Sequence, residues 1–165
     1  MAQVTLGGNP VQTSGELPKV GAPCPTLLLI KNDLTELNLN EFKGKKVILN
    51  IFPSIDTPTC SKSVKTFNEK AASIPNTVIV CVSADLPFAQ KRFCGSEGIE
   101  QIMTVSTFRD PHALEQLGVR LVTGKLKDLA ARAILVLDEQ GNIIHRELVG
   151  EIANEPNYDL ALSVL

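Results

Sequence analysis

One short run, Val47-Ile48-Leu49-Asn50-Ile51-Phe52, constrains this chain more than any other stretch. Apart from Asn50 it is apolar on both alternations, the pattern of a strand covered on both faces. Pro53 ends it, because proline cannot donate to a sheet ladder. Thr57-Pro58 is then a helix-start signal, with Thr at the cap and Pro at the first helical position. The helix has apolar residues at Val64, Phe67 and Ala71, and Cys60 shares their face. Cys60 thus sits in the first helical turn, where unpaired N–H groups and the helix dipole favour an anionic sulfur. The same inward face brings desolvation, which opposes the anion, so a further cation is needed to decide that contest.

The chain in order supplies the layers. Val4 to Leu6, a Gly7-Gly8-Asn9-Pro10 turn and Val11 to Thr13 read as a hairpin arm that covers an edge or end of the sheet. Leu27 to Lys31 and the Leu37/Leu39 alternation read as strands, with Asn32-Asp33 as a turn. Thr77 to Ser83 is a buried strand. Asp85 is a capping candidate for a helix over Phe88 to Cys94, stopped by Gly95. Met103 to Ser106 is a strand, Asp110 to Leu117 a helix, and Val119 to Val122 a short strand. Leu129 to Leu137 and Ile143 to Val149 form a hairpin around Asp138 to Asn142, and Asn157 to Leu165 is a last helix. This alternation predicts an α/β thioredoxin-like fold: a central mixed sheet flanked by helices, with an N-terminal β-hairpin. Residues 1–165 are read as one domain, with 1–15 as the arm. A flavodoxin-like parallel sheet is the alternative, and the late hairpin speaks against it.

Composition narrows function. Net charge is −2, with no basic stripe, which argues against nucleic acid. No apolar run spans a bilayer, which argues against a membrane protein. The first residues lack a basic n-region and an apolar h-region, so a cytoplasmic address is expected. No glycine-rich phosphate loop follows a strand. The four cysteines form no Cys-x-x-Cys pair, so a thioredoxin-type dithiol and a zinc knuckle both lack their usual signature, and the two histidines lie far from them.

Cys60 is the candidate attacking sulfur. Cys94, near the C-terminal end of a helix where the dipole disfavours a thiolate, is the candidate second thiol that acts later. Cys24, between two prolines, reads as incidental, and Cys81 as a small buried hydrophobe. Arg132 enters an apolar strand, which is costly unless its charge has a partner. Either it snorkels from an edge position, or it faces a thiolate; the flanking alanines favour the second.

The spacing Pro53-x-x-x-Thr57-x-x-Cys60, with Arg132 in a late strand, resembles the active-site motif of peroxiredoxins. Asn50 to Thr57, Ser83 to Ala89, Arg92-Phe93-Cys94-Gly95 and Leu129 to Ala133 resemble the bacterial thiol peroxidase subfamily over nearly the whole chain. The resemblance implies a homodimer and a cycle without metal or organic cofactor. Cys60 would be peroxidatic and Cys94 resolving within the same subunit, with thioredoxin as reductant and hydrogen peroxide or organic hydroperoxides as substrate. Pro53 would shield the site, and the Thr57 hydroxyl would have two possible jobs, helix cap and peroxide ligand. Because a disulfide needs Cα atoms within about 7 Å, local unwinding around Phe93 to Gly98 is expected.

A magnitude bounds this chemistry. Lowering a thiol pKa from about 8.5 to about 6 raises its thiolate fraction at pH 7 about thirtyfold. Enzymatic accelerations are roughly a millionfold or more. The remainder must come from aligning the O–O bond and stabilising the leaving oxygen. Two other readings stay open on the residues alone: a disulfide oxidoreductase or thiol redox sensor, and a binding module whose cysteines only pack.

Overall fold

The computed structural model describes residues 1–165. Strands β1 (Gln3–Leu6) and β2 (Asn9–Gln12) form the N-terminal hairpin. Then come β3 (Leu29–Lys31), β4 (Glu36–Leu37), β5 (Lys46–Ile51), α1 (Pro58–Ala71), β6 (Thr77–Ser83), α2 (Pro87–Glu97), β7 (Met103–Ser106), α3 (His112–Gln116), β8 (Ala133–Leu137), β9 (Ile143–Leu148) and α4 (Tyr158–Ser163). The main sheet has seven strands in the order β4-β3-β7-β6-β5-β8-β9. β5, β6 and β7 run parallel, and β3, β4, β8 and β9 add antiparallel pairings, which makes the sheet mixed. The antiparallel β8 beside β5 excludes the flavodoxin-like alternative.

Alternation along the central strands divides the interior in two. Leu49, Ile51, Val80, Val82 and Leu135 face a larger cluster that includes Val4 and Val11 of the hairpin and Leu114 of α3. Ile48, Ile79, Cys81, Ile134 and Val136 face a second cluster with Cys60, Val64 and Phe67 of α1, Phe93 of α2 and Ala161 of α4. This double coverage is why the strands read as continuous apolar runs. Phe67 meets Tyr158 edge-on, with centroids 5.1 Å apart, which ties α4 to α1. Phe67 is fully buried, so Phe67→Ala would cost about 3–5 kcal/mol through lost transfer and the cavity it leaves.

The hairpin is tighter than expected, turning on Gly7 and Gly8 alone, both at positive φ. It joins the end of the sheet through Thr5, which bonds Gly150 and Ile152 just beyond β9. Gly118 is required by space as well as by its φ of +73°: a Cβ there would stand 2.0 Å from the Glu16 carbonyl oxygen.

Several boundaries differ from the sequence reading. Leu39 does not continue a strand: Leu39–Phe42 is a short 3-10 turn, started by the Asn38 side chain, which accepts from Asn40 N–H. Helix α2 passes through Gly95 and ends at Gly98, because Gly98 and not Gly95 takes the left-handed conformation, at φ 65°. Val119 to Val122 and Leu129 to Ala131 are not parts of long strands. They bridge each other (Ala131 N–H to Val119 O, 2.8 Å), so β8 starts only at Ala133. The last helix is shorter than expected, starting at Tyr158 with Asn157 as cap. No helix is long and apolar enough to cross a membrane.

Candidate active site

The loop between β5 and α1 runs through a buried Pro53 to Thr57 at the N-cap and Pro58 in the first turn. Cys60 follows on the inner face and is fully buried. Its backbone N–H, within the first turn, donates to no backbone carbonyl, as the geometry of a helix start dictates. Ser63, one turn on, donates to the Cys60 carbonyl at 2.8 Å and accepts from Asn50 at 3.2 Å. The one polar residue of β5 therefore fixes the first turn of α1.

Thr57 occupies the cap position with extended φ and ψ, but its side chain does not cap. Its hydroxyl donates to the Ser54 carbonyl at 2.9 Å. The loop turns back on itself there, and Thr57 N–H bonds the same carbonyl at 3.1 Å.

Arg132 is 2% exposed and stands immediately before β8, between β5 and β9 in the sheet, so the edge reading is excluded. Its Nε donates to the Ile152 carbonyl at 2.8 Å, and its Nη2 lies 3.3 Å from Cys60 Sγ. Nη1 is buried without a partner. No carboxylate lies within ion-pair distance of the guanidinium. The buried cation thus has a carbonyl dipole and one sulfur in direct contact, with the Glu155 carboxylate acting on it only from beyond ion-pair distance. A charge so placed is tolerable when the sulfur is anionic.

The structure unites Cys60 and Arg132, while Cys94, on another helix against the same apolar cluster, makes no bond to Cys60. Cys60 and Cys94 are both free thiols. Cys94 lies in the last turn of α2, where its carbonyl accepts from Gly98 and Ile99 N–H. Its sulfur is 3.5 Å from the Thr104 hydroxyl. Burial pushes the Cys24 thiol up to about 11 and the fully buried Cys81 thiol up to about 12. Both are protonated at neutral pH. No group of three or more potential ligands is placed to hold a metal.

Sequence reasoning missed Asp85. Read as a helix cap, it leaves the cap position to Leu86 and instead gathers the active-site loop. Its carboxylate accepts from Ser54 Oγ and Ile55 N–H, each at 2.7 Å, and from Ser83 Oγ at 2.6 Å. Ser83 also accepts from Gln90 of α2 at 3.1 Å. The loop before Cys60 and the start of the helix that bears Cys94 are therefore joined through one carboxylate. A polar Ser-Ala-Asp at the end of an apolar strand was the available signal, but its partners lie about thirty residues away in sequence.

Comparison with known proteins fits this arrangement. The family model described as Redoxin matches residues 19–162. The chain is 54% identical over 165 residues to a thiol peroxidase of Mycobacterium bovis, covering all of this chain and 99% of that protein. Among solved structures, a peroxiredoxin-like protein from Aquifex aeolicus superposes with a TM-score of 0.94 at 38% identity, covering 99% of this chain and 95% of that one. A thiol peroxidase from Chromobacterium violaceum shares the fold, with a TM-score of 0.91 at 18% identity over 98% of this chain and 94% of that one.

Proposed function

The chain belongs to the redoxin family and is a thiol-dependent peroxidase, and from that premise we propose that Cys60 is its peroxidatic residue and Cys94 its resolving one. The observation that carries the assignment is the 3.3 Å contact of Arg132 Nη2 with Cys60 Sγ, beside a second guanidinium nitrogen that has no partner. The thiolate attacks one peroxide oxygen. The O–O bond breaks, water or an alcohol departs with a proton, and the sulfur becomes a sulfenic acid. Arg132 Nη1 and the Cys60 N–H are donors for the oxygens on which charge develops. The Thr57 hydroxyl has given its proton to Ser54, so toward the peroxide it offers a lone pair, which suits accepting the hydroperoxide O–H. Pro53, buried within the loop, shields the sulfur from bulk water.

The second stage joins the sulfurs of Cys60 and Cys94 within one subunit and releases water. A dithiol reductant, thioredoxin, then returns both to thiols. The whole chain, residues 1–165, acts as one domain with the hairpin as an arm, and functions as a homodimer. Four cysteines free of disulfides suit a reducing cytoplasm. Hydrogen peroxide and organic hydroperoxides both supply the reacting bond. A peroxide-consumption assay with and without thioredoxin tests the cycle. Sustained turnover is expected only with the reductant, and turnover that continues without any thiol source would sink the reading.

A further inference from the structure

Cys94 is held by more than its helix. Thr104 is the neighbour of its sulfur, on β7, 2% exposed. A threonine hydroxyl has one hydrogen, and Thr104 gives it to Asn32 Oδ1 at 3.0 Å. Toward Cys94, at 3.5 Å, Thr104 then presents a lone pair, and the S–H is the donor. A thiolate has no proton to offer, so this contact favours the protonated sulfur in its folded place. Asn32 is fixed for the task because it directly follows β3, which pairs with β7 one residue from Thr104 (Lys31 opposite Val105).

Other links to the same end of α2 are weaker or farther from the sulfur. Lys65 and Glu97 form an exposed ion pair at 3.0 Å, of the kind that contributes little. Gln101 N–H donates to Asn68 Oδ1 at 2.8 Å, already beyond the helix. The Asn32–Thr104 pair alone addresses the thiol itself.

We propose that Asn32 and Thr104 are positioning residues that latch the Cys94 thiol in the wound helix and thereby set the pace of disulfide formation. This rests on the reading of Cys94 as resolving thiol. The step is Cys94–SH plus Cys60–SOH giving Cys60–S–S–Cys94 plus water. The S–S bond forms, the S–O bond breaks, and the hydroxide that leaves takes up the Cys94 proton. Cys94 must first quit Thr104 to reach Cys60. A tighter latch prolongs the life of the sulfenic acid, and so widens the interval in which a second peroxide can oxidise it further.

The test is single-turnover oxidation by one equivalent of hydroperoxide, reading sulfenic acid by a trapping diketone and disulfide by mass. The ratio of disulfide formation to the first oxidation is the measured quantity. Thr104→Val keeps the shape, removes the acceptor and should raise that ratio about fivefold, the scale of one neutral hydrogen bond. Asn32→Ala keeps the Thr104 hydroxyl beside the sulfur but no longer fixes it as an acceptor, so it should raise the ratio by less than Thr104→Val. Thr104→Ser, which restores the hydroxyl, should return the wild-type ratio, which a merely structural defect would not do. An unchanged or lowered ratio in Thr104→Val overturns the latch. Cys94→Ser is run alongside: if it is recycled by thioredoxin like wild type, the resolving role itself falls. If it stalls while the ratios stay flat, only the latch falls.

Discussion

Arg132 reaches Cys60 from outside the helix that carries the sulfur, Nη2 to Sγ at 3.3 Å, with both residues buried and no carboxylate in reach of the guanidinium. The helix start supplies N–H groups, and the residue just before β8 supplies the charge. Arg132→Met is expected to lower the rate of peroxide reduction by about 100-fold to 1,000-fold, the effect of removing one preorganised donor from such a site. Thermal stability should fall as well, since the buried Ile152 carbonyl and Cys60 sulfur lose their shared donor. Parallel peroxide assays and melting curves check both halves; a large loss of stability with near-normal activity would reverse the assignment.

Asp85 should behave as a positioning residue for the loop. Asp85→Ala leaves Ile55 N–H and the Ser54 and Ser83 hydroxyls without their shared acceptor. A cost of about 1–3 kcal/mol in stability is expected from the orphaned groups. The peroxide rate should fall as well, because the Pro53 to Thr57 segment loses its tether to β6. Urea denaturation and initial-rate kinetics measure the two effects, and unaltered kinetics would confine Asp85 to stability.

Cys60→Ser should abolish peroxide consumption. Cys94→Ser should complete one stoichiometric turnover and then fail to be recycled by thioredoxin. Hydrogen exchange should rise in the oxidised wild type over residues 93–98, since the proposed Cys60–Cys94 disulfide calls for the last turn of α2 to open. Equal protection of reduced and oxidised forms there would remove the need for unwinding.

Alkylation should discriminate among the four cysteines. With thiols raised to about 11 and about 12, Cys24 and Cys81 stay protonated across the neutral range. At pH 8 a thiol with a pKa of 11 is only about 0.1% thiolate. Iodoacetamide titration followed by peptide mapping should therefore mark Cys60 or Cys94 first. Early labelling of Cys81 would contradict its enclosure.

Glu151 gives the fold an acid dependence. Backbone N–H groups of Ala153 and Gly8, with help from Thr5 and Gly7, hold its carboxyl down to about 2 against an ordinary 4.5. A depressed carboxyl contributes stability that is fully present above about pH 4.5 and is lost as pH falls toward about 2. Glu151→Gln should melt earlier than wild type at pH 7, and the gap should close over that acid window. Because the next residue, Ile152, accepts from Arg132 Nε, the variant should also lose some peroxidase rate. A gap that persists unchanged to pH 2 would show that Glu151 is not the source.

How much was legible in the sequence follows from how local each signal is. The β5–loop–α1 unit was readable because strand, proline stop, cap and helix face are encoded within about two dozen consecutive residues. The inward face of Cys60 followed from its phase with Val64 and Phe67. The extent of α2 was misread because a glycine is a helix terminator only when its backbone turns left-handed, and Gly95 does not while Gly98 does. The Thr57 and Asp85 side chains each have the chemistry of a cap, but Thr57 bonds back to the Ser54 carbonyl three residues earlier and Asp85 is drawn to Ser54 and Ile55 across the fold.

The residue types at Thr57, Cys60, Cys94 and Arg132 by themselves marked this chain for thiol chemistry, since thiol, hydroxyl and guanidinium act through properties of the side chain alone, and left open which thiol reaction they serve. The tertiary structure decided where their hydrogen bonds and charges end. It put Arg132 against Cys60 from 72 residues away, gave Asp85 to the loop and Thr104 to Cys94. Hydrogen bonds and ion pairs depend on separations of about 3 Å. Sequence spacing sets such distances within a helical turn or a hairpin, but between elements only the packing of the sheet and its two layers does.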